Sequence, residues 1–405
     1  MEKLFLLITN LGKGGAQRVF YDHAIAFSKY YEIHEVVFDI DEEERIYNSG
    51  LPLHSLSAGI KTKNPVAGLF YRAKALRRLV DKYRPKIVIS HMDGANWVNA
   101  LAAHQAEKIL VVHGTILYDK EVKPLMQFFR KKLIIPWLYN KADVTVGVSE
   151  AIADELKNRC GVKNAIAIPN YFDIAGIRQK AGLQLPVEWK RIFESGEILI
   201  HSGRFHIQKK QAELLEIFAR VKRERPGVKL ILMGDGQLRQ RLFDKCRQLK
   251  LSFYEPWSGE TNTSIATGRD VYFTGYVSNP FSFLNKSALF LFPSAWEGFP
   301  MALCEAMISG VPVLSADCPT GPREILAPGT KDDTYTLNKA TFTQYGVLLP
   351  MADKAGFAKE WVHTIISMLS NKMYLEERAS AAAVKMLDYE KQKIIKRWTC
   401  LLDRE

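Results

Sequence analysis

Two glutamates in the second half of the chain lie in a setting that could bind a ligand. Glu297 and Glu305 are separated by seven residues. Apolar runs typical of β-strands precede and follow them, while Pro300 favours the start of a helix and Gly310 its end. The pattern predicts strand, loop, helix and strand, with the helix over about 300–309. Glu297 is therefore expected in the loop at the helix N-terminus, and Glu305 on the helix itself.

This arrangement restricts the chemistry of the ligand. The uncapped N–H groups of a helix N-terminus attract an anion. Carboxylates only accept hydrogen bonds, so an anionic ligand tolerates two of them only where they face its hydroxyl groups. A nucleotide-sugar meets both conditions, with its diphosphate on the N–H groups and its sugar and ribose hydroxyls on the glutamates.

The segment EGFPMALCEAMISGVPVL resembles the retaining glycosyltransferases of family 4, which have the two-domain GT-B fold. Two acids at this spacing alone would more often be a solvated helix face. The resemblance implies that Glu305 holds the ribose and that Glu297 holds the sugar. Backbone N–H groups near Phe299 and Met301 are expected to assist, because Pro300 has none. The donor-binding residues implied in this segment are Glu297, Gly298, Phe299, Met301, Ala302 and Glu305.

Basic residues follow a strand predicted over EILIHSG, residues 197–203. Arg204 and Lys209 lie on the loop that leads to the next helix, where two fixed cations could neutralise a diphosphate and stabilise the charge on a departing nucleotide. Basic residues in a loop are most often simply solvated. GRFHIQK, however, resembles the G-R-x4-K signature of the same family. The resemblance implies that Gly203, Arg204 and Lys209 bind the diphosphate.

The strand predicted over VYFTGYV leads into a turn at Asn279 and Pro280. In the family that this chain resembles, the corresponding turn lies near the nucleotide base. The resemblance therefore implies donor contacts at Gly275 and Tyr276. We expect backbone atoms to make these contacts, rather than side-chain chemistry.

Short apolar strands alternate with helical periods, such as 66–83 and 149–159, through residues 1 to about 170. This alternation predicts a mainly parallel sheet covered by helices on both faces. Open sheets of this kind bind ligands at the carboxyl ends of their strands, so the informative residues should follow the strands. The predicted strands are KLFLLITN, HEVVFDI, KIVISH, KILVVHG, DVTVGVS and AIAIPN.

A glycine-rich loop follows the first strand. Gly12, Gly14 and Gly15 could let backbone N–H groups approach an anion at the start of a helix, although the full G-x-G-x-x-G pattern is absent. Tight packing between strand and helix explains the same glycines equally well. GGAQRV resembles the first loop of the family, which faces the donor, and the resemblance implies donor contacts at Gly14 and Gly15.

Histidines follow two of the predicted strands. His91, with Asp93 close behind, comes after KIVIS, and His113 comes after ILVV. A lone histidine is more often structural, which is the interpretation favoured for His91. His113 matches a histidine that the family places beside the donor sugar, where it could orient a hydroxyl group by donating a hydrogen bond. The catalytic residues implied by the resemblance are Arg204, Lys209, Glu297 and His113.

Asp39 and Asp41 mimic the D-x-D pair that holds a divalent cation in another glycosyltransferase fold. They close an early strand beside the acidic run DEEER, which favours a solvated loop. We therefore predict neither a metal site nor a cofactor. A requirement for a metal ion would overturn this interpretation.

The composition is that of a soluble globular protein with room for two domains. The chain has 405 residues, of which 47% are hydrophobic and 25% charged. No apolar run approaches the roughly 20 residues that cross a bilayer, and LFLLITN is too short for the core of a signal peptide. Five scattered cysteines without a CxxC pair argue against a disulfide framework and a zinc site. These features predict a cytoplasmic protein.

The charge balance predicts an anionic partner. Fifty-six basic residues against 44 acidic ones give a formal net charge of +12. Nucleic acid, a phospholipid surface and a diphosphate substrate would all satisfy it. The sequence has no zinc-finger spacing, no RNP-like aromatic motif and no basic low-complexity tail, so nucleic acid is not the expected partner.

The stretch 118–139 carries lysines and an arginine among bulky apolar residues. Such a mixture suits a segment that lies on an anionic membrane surface. A helix packed on its own domain, with its lysines in solvent, is equally compatible with the pattern. Residues 69–86 form a second basic patch. If the acceptor is lipid-linked, both surfaces are expected to dock peripherally on the cytoplasmic face of a membrane.

Together these features predict an α/β protein of the GT-B type, with two Rossmann-like domains facing each other across a cleft. Residues 1–180 are expected to bind the acceptor and 181–375 the nucleotide-sugar, while 376–405 form a helix that crosses back to the first domain. The reaction that the resemblance implies is transfer of a hexose-type sugar, with retention and without a metal, from a nucleotide diphosphate donor to a hydroxyl group. A UDP-sugar and a lipid-linked glycan in surface polysaccharide assembly are the favoured substrates.

Two alternatives from other classes remain open at this point. A non-catalytic binder of nucleotide-sugars or glycans would bind the donor without releasing free nucleotide. A phosphorylase or an epimerase could use the same fold, and a phosphorylase would need pyridoxal phosphate. Fold analogy alone does not separate these alternatives, so the set of Arg204, Lys209, Glu297 and Glu305 carries the prediction.

Overall fold

A computed structural model describes residues 1–40, 45–57, 64–119, 122–258, 265, 267–330, 337–352, 356 and 358–404. Asp41 therefore lies outside the described residues, as do Lys120 and Glu121 of the basic apolar stretch. The chain divides into two compact units, Met1–Asn170 with Gln392–Glu405, and Tyr171–Lys391. The first border was expected at about 180, because the segment after Asn170 has no strand pattern. The structure assigns that segment to the second unit.

The first unit is built on a parallel sheet. Its described strands are β1 (Lys3–Ile8), β2 (Glu32–Val37), β3 (Leu53–Ser55), β4 (Ile87–His91), β5 (Glu107–Val112), β6 (Val144–Gly147) and β7 (Ala165–Ala167). They are ordered β3-β2-β1-β4-β5-β6-β7, and every neighbouring pair is parallel. The six predicted strands are confirmed. β3 was not predicted, because three residues are too short to show a periodic pattern.

Helices connect these strands and cover the sheet. They are α1 (Gly15–Phe27), α2 (Pro65–Tyr83), α3 (Asp93–Leu101), α4 (Pro124–Phe129), α5 (Ile135–Tyr139) and α6 (Glu150–Asp154), with π-helical turns at Arg130–Ile134 and Glu155–Arg159. The central strand β1 is buried from Leu4 to Ile8. Because both faces of the sheet are covered, such strands read as continuous apolar runs rather than as alternating patterns.

The second unit repeats the same principle around a second sheet. Its described strands are β8 (Ile198–Ser202), β9 (Lys229–Met233), β10 (Phe253–Tyr254), β11 (Val271–Gly275), β12 (Leu289–Phe292), β13 (Val313–Ala316), β14 (Thr341–Phe342) and β15 (Val347–Leu349). The order is β10-β11-β9-β8-β12-β13-β15-β14, and among these strands only β14 runs antiparallel to its neighbour.

The helices of the second unit pack on both sides of this sheet. They are α7 (Ile174–Ala181), α8 (Val187–Glu194), α9 (Gln211–Glu224), α10 (Arg239–Gln248), α11 (Pro280–Lys286), α12 (Met301–Ile308), α13 (Pro322–Leu326), α14 (Ala358–Leu369) and α15 (Lys372–Lys385). One buried core includes Phe218 of α9, Leu232 of β9 and Trp361 of α14.

Each sheet has a point where the direction of strand addition reverses. In the second sheet the chain moves outward from β8 through β9 and then returns to place β12 on the other side of β8. In the first sheet β1 and β4 meet in the same way. The loops that leave such a pair at its carboxyl ends diverge and open a crevice, which is the usual ligand site of open α/β sheets.

The chain ends in α16 (Lys391–Leu402), which from Gln392 onward belongs to the first unit. Trp398 packs edge-on against His23 of α1, with ring centroids 4.9 Å apart. Arg397 donates a hydrogen bond of 2.6 Å to the Ala167 carbonyl. This return was expected from residue 376, but α15 belongs to the second unit.

No helix in the described part of the chain combines the length and the apolar character needed to span a bilayer.

Candidate functional site

An ion pair joins the two loops that leave the reversal point of the second sheet. Lys209 follows β8, Glu297 follows β12, and Lys209 Nζ lies 2.6 Å from Glu297 Oε1. Glu297 is only 5% exposed. Lys209 Nζ also lies 5.5 Å from the ring centroid of Phe292, the last residue of β12. The sequence placed both residues after strands, and the structure brings their charged atoms together.

Further hydrogen bonds fix the two loops to each other. The Ala295 N–H donates to the Gln208 carbonyl over 2.8 Å. The Gln208 side chain returns a bond of 2.6 Å from Nε2 to the Trp296 carbonyl. Gln208 directly precedes Lys209, and Ala295 and Trp296 directly precede Glu297. These bonds therefore hold the cation and the acid in position instead of leaving them on long free loops.

The loop after β13 supports Glu297 from its other side. The Glu297 N–H donates to the Pro319 carbonyl over 3.2 Å, and the Thr320 hydroxyl donates to the Glu297 carbonyl. Gly321 has a φ of +91°, and a Cβ there would lie 2.6 Å from Cδ of Pro300. Only glycine fits this approach, so the segment DCPTGPREI serves as a wall of the site.

Helix α12 begins one residue later than predicted. Pro300 has φ −79° and ψ 76°, and the Met301 N–H donates to the Phe299 carbonyl over 2.9 Å. This is an inverse γ-turn, which occupies the Met301 N–H that was predicted to contact the donor. The Ala302 N–H makes no hydrogen bond to any described residue, as the first turn of a helix allows.

Glu305 lies on α12 as predicted and is partly buried. Its carbonyl accepts bonds from the N–H and the hydroxyl of Ser309, which end the helix. Glu305 stands one helical turn after Met301, the first residue of α12. It is therefore carried by the same loop and helix that position Glu297.

Arg204 lies on the loop after β8 and is exposed. The structure shows no ion pair between its guanidinium and any described residue. Its backbone is fixed, because Gln211 Nε2 donates to the Arg204 carbonyl over 2.9 Å. At the preceding Gly203, a Cβ would lie 3.3 Å from Nε2 of His201 and in ordinary van der Waals contact, at 3.6 Å, with the stem of Lys209.

His201 in β8 lies beneath this loop and was not expected at the site. Its Nδ1 lies 2.9 Å from the Leu291 carbonyl, and its Nε2 lies 3.3 Å from Gln211 Nε2. A carbonyl can only accept, so Nδ1 carries the proton. Burial, with a smaller effect of Lys209, lowers the pKa of His201 to about 4. The sequence feature that could have revealed His201 is a single histidine within an apolar strand.

A second buried ion pair was also missed. Arg323 Nε donates to Asp317 Oδ1 over 2.9 Å, and its Nη2 pairs with Oδ2 of the same carboxylate. Both residues are buried, with Asp317 at the start of the wall segment and Arg323 in α13. This bidentate contact fixes the wall on which Glu297 leans. Two opposite charges six residues apart in a turn were the available signal.

Gly275 is the last residue of β11, two strands away from β8 in the same sheet, and Tyr276 follows it. Gly275 has a φ of +67°, and its carbonyl accepts the Gly234 N–H over 2.9 Å. The Tyr276 side chain is exposed. The two residues stand at the carboxyl edge of the sheet, as expected for a backbone contact with a ligand.

Three histidines cluster in the first unit, two of them after adjacent strands. His91 Nδ1 lies 2.9 Å from His113 Nε2, and the two rings stack at 5.1 Å. His23 of α1 contacts His91 edge-on at 5.2 Å. Burial lowers the pKa of His113 to about 4 and that of His23 to about 3. All three rings are therefore neutral near pH 7.

The loop that carries His113 is anchored by a buried carboxylate. Glu155 accepts hydrogen bonds from the Thr115 hydroxyl over 2.7 Å and from the Leu117 N–H over 2.9 Å, and also from the Ile116 N–H. Burial raises the pKa of Glu155, while these bonds oppose that rise. The anchoring holds the loop after β5 in one position.

The glycine-rich loop opens α1, as predicted. Gly14 occupies the N-cap position, and a Cβ there would lie 2.0 Å from Oε1 of Gln17. Gln17 Nε2 donates to Asn10 Oδ1 over 3.0 Å. Gly15 has open space around its missing side chain. A Cβ at Gly14 would displace only the end of the flexible Gln17 side chain, so packing among the described residues requires glycine at neither position.

The structure gives Asp93 and Asp39 structural partners. Asp93 pairs with Arg130 and accepts a bond of 2.9 Å from the Tyr139 hydroxyl. Asp39 is exposed and lies 3.9 Å from Arg72. Across the described residues, no three side chains of His, Cys, Asp or Glu are grouped as metal ligands.

Comparison with known proteins identifies the family of this chain. The family model for group 1 glycosyl transferases matches residues 196–367, and the model for glycosyltransferase family 4 matches residues 13–175. Together they match most of both units. The chain is a family 4 glycosyltransferase with the GT-B fold.

Relatives and solved structures agree with this assignment. An uncharacterized glycosyltransferase of Methanocaldococcus jannaschii is 27% identical, covering 85% of this chain and 86% of that protein. The N-acetylgalactosamine-N,N'-diacetylbacillosaminyl-diphospho-undecaprenol 4-alpha-N-acetylgalactosaminyltransferase of Campylobacter jejuni is 23% identical, covering 83% and 86%. The crystal structure of Anabaena HepE with UDP and glucose matches with a TM-score of 0.75 at 17% identity, covering 99% of each chain.

The basic apolar stretch of this glycosyltransferase is helical from Pro124 to Tyr139. The two interpretations left open by the sequence differ in what its apolar residues contact. Leu125, Leu133 and Trp137 are exposed rather than packed. The helix also packs on its domain through the buried Ile135 and Leu138, with Lys132 in solvent, as the second interpretation expects. Docking on a membrane stays a prediction.

The cysteines of the glycosyltransferase form no disulfide among the described residues. Cys160, Cys246, Cys304 and Cys318 are buried and Cys400 is exposed. Burial raises the pKa of Cys304 and of Cys318 well above the usual value, so both stay thiols near pH 7. Neither has the character of a reactive nucleophile.

Proposed function

We propose that this glycosyltransferase is a metal-independent hexosyltransferase that retains the anomeric configuration and uses a UDP-sugar as its donor. The ion pair of Lys209 and Glu297 carries the proposal, because it places a cation beside an acid at the reversal point of the second sheet. A nucleotide-sugar needs both charges in one place. The cation suits phosphate oxygens and the acid suits hydroxyl groups.

Each residue then has a distinct role in donor binding. Lys209 and Arg204 hold the diphosphate, and Glu305 accepts hydrogen bonds from the ribose. Glu297 accepts bonds from the sugar, with the Ala302 N–H free to take a sugar or phosphate oxygen. The Met301 N–H can take part only if it leaves the Phe299 carbonyl. Contacts of the donor with Gly14, Gly15, His113, Gly275 and Tyr276 stay predictions.

The reaction that fits these residues is a front-face substitution. The bond between the anomeric carbon and the diphosphate oxygen breaks, and the acceptor oxygen bonds to the same face of that carbon. The departing phosphate takes the acceptor proton, so no enzyme nucleophile is required. Lys209 and Arg204 stabilise the negative charge that grows on the diphosphate.

The acceptor in this proposal is a glycan on a lipid diphosphate. The support comes from relatives, since the Campylobacter jejuni enzyme is named for a diphospho-undecaprenol acceptor. A second relative, the lipopolysaccharide 1,6-galactosyltransferase of Escherichia coli, is 26% identical over 80% of this chain. The first name includes a diphospho-undecaprenol lipid and the second a lipopolysaccharide, which favours an acceptor at a membrane surface.

A screen of nucleotide-sugars tests the proposal. The protein is incubated with each donor, with and without a lipid-linked acceptor, and released nucleotide is measured. We expect UDP release from a UDP-sugar, an α-linked product from an α-linked donor by NMR, and an unchanged rate with a metal chelator. Binding without nucleotide release would favour the non-catalytic alternative, and an inverted product or a chelator-sensitive rate would contradict the mechanism.

A further inference from the structure

The helical segment from Pro124 to Tyr139 presents an apolar stripe to solvent. Leu125, Phe129, Leu133 and Trp137, here called the outer stripe, are 71%, 43%, 57% and 58% exposed. They are spaced four residues apart, a spacing that drifts around an ideal α-helix of 3.6 residues per turn. The wider π-helical turn at Arg130–Ile134 opposes that drift. The four side chains therefore stay in line along one face.

The opposite face of the segment is fixed to the domain. Ile135, Leu138 and Tyr139 are buried, and Arg130 forms an ion pair with Asp93. The outer stripe is therefore exposed on a helix that is already anchored by its other side. Rotation of the helix to bury the stripe would remove the buried ion pair and these apolar contacts.

Lysines border the outer stripe. Lys123 and Lys132 are exposed, and neither makes an ion pair with a described residue. Lys141 Nζ lies 3.9 Å from the ring centroid of Trp137. A surface helix normally turns polar residues to water. Apolar side chains flanked by lysines and an exposed tryptophan are instead typical of helices that lie in the interface of an anionic membrane.

We infer that the outer stripe docks the first unit on an anionic lipid bilayer, with its apolar side chains in the acyl boundary and its lysines on the headgroups. Charge complementarity favours this occupant over a second copy of the chain. A twofold contact through the stripe would bring the lysines together, and the cores of protein interfaces are depleted in lysine. The inference deepens the proposed lipid-linked acceptor, but the docking itself needs no donor or acceptor.

Vesicle co-sedimentation of the full chain tests the docking. We expect the protein to bind vesicles of phosphatidylcholine with phosphatidylglycerol and to bind pure phosphatidylcholine weakly. Phe129→Ser and Leu133→Ser should each lower the partition coefficient about tenfold, since each removes an apolar side chain from the membrane. Lys123→Glu with Lys132→Glu should weaken binding only to the anionic vesicles.

Matched variants in the second unit separate this surface from general stickiness. Val187→Ser and Met373→Ser remove side chains that are at least as exposed as those of the outer stripe. They should leave vesicle binding unchanged. Equal losses in both pairs of variants, or binding that the outer-stripe variants do not alter, would overturn the inference. A third outcome is that the wild-type chain does not bind vesicles but self-associates, and that Phe129→Ser abolishes this self-association. That outcome would show that the outer stripe contacts a second copy of the chain instead of a membrane.

Tryptophan quenching locates the contact without risk to folding. Lipids brominated on the acyl chain quench a tryptophan that enters the membrane. We expect quenching in the wild-type protein that is lost in Trp137→Phe. Quenching that persists in that variant would contradict insertion of Trp137. Vesicle binding is measured without donor. It can therefore fail while donor turnover succeeds, and it can succeed while donor turnover fails. The docking and the proposed function are thus judged separately.

Discussion

Lys209 Nζ lies 2.6 Å from Glu297 Oε1, between loops that leave adjacent strands of the second sheet. The pair makes the two proposed roles interdependent, because Lys209, which is proposed to hold the phosphates, also neutralises Glu297, which is proposed to hold the sugar. Glu297 is almost fully buried, so it has little access to solvent as an alternative partner. Substitutions at either residue are expected to alter stability as well as catalysis.

Removal of Lys209 should destabilise the second unit. Lys209→Ala leaves the Glu297 carboxylate buried without its cation, which we expect to cost about 2 to 3 kcal/mol, since lysine itself keeps some solvent contact. The double variant Lys209→Ala with Glu297→Gln should recover part of that loss. Calorimetric Tm measurements check both. As a control, Lys190→Ala breaks an exposed pair with Glu194 and should change the stability by under about 0.5 kcal/mol.

Removal of Arg204 should affect turnover without affecting stability. Arg204→Ala is expected to lower kcat by roughly 100-fold, as does removal of a preorganised charge that stabilises a transition state. Its Tm should match that of the wild-type protein, because the side chain is exposed. Steady-state kinetics and a melting curve on the same sample test this. Arg241→Ala, an exposed arginine of α10, is the matched control, and comparable rates for both variants would contradict the diphosphate role.

Glu305 should contribute to donor affinity. Glu305→Ala removes the proposed acceptor for the ribose hydroxyls, which we expect to weaken donor binding by about 1 to 3 kcal/mol, or roughly 5- to 150-fold in Kd. Glu305→Gln keeps one acceptor oxygen and should lose less. Titration calorimetry with the donor that the screen identifies measures both. Unchanged affinity in Glu305→Ala would remove the ribose role.

Stability should fall as the pH falls below about 6.5. Burial lowers the pKa of His201 to about 4 and that of His23 to about 3, and it also lowers the pKa of His91. The unfolded chain, with an ordinary histidine pKa near 6.5, therefore binds more protons than the folded chain in this window. The contribution of these histidines to the free energy of unfolding is fully present above the pKa of the unfolded chain. It is lost as the pH falls toward their pKa values in the folded chain.

Denaturation at several pH values measures this effect. Each buried histidine should contribute up to about 1.4 kcal/mol per pH unit within the window. His201→Asn keeps a donor for the Leu291 carbonyl and should reduce the slope by about one proton. Equal slopes in the wild-type protein and His201→Asn would contradict a neutral, buried His201.

The sequence predicted the features that depend on strand order and local pattern. Long apolar runs gave the strands, and Lys209 and Glu297 were correctly expected after them. The contact between their charged atoms required β8 and β12 to be neighbours, which no local pattern shows. The pairing of His91 with His113 depends in the same way on adjacent β4 and β5.

Other features escaped prediction because they depend on single torsions or on packing. The inverse γ-turn at Pro300, which occupies the Met301 N–H, follows from one ψ angle. The exposure of Leu133 and Trp137 depends on which face of the helix the rest of the domain covers. A sequence period shows that a face exists, but it does not show what lies against it.

Binding of nucleoside diphosphates shows whether Lys209 and Arg204 hold the diphosphate. A panel of diphosphates and their parent nucleosides is titrated into the wild-type protein, Lys209→Ala and Arg204→Ala. We expect the wild-type protein to bind one diphosphate, UDP in our proposal, at least about 100-fold more tightly than its nucleoside, and each variant to lose most of this preference. A preference for the diphosphate that survives in both variants would contradict the assignment of Lys209 and Arg204 to the diphosphate.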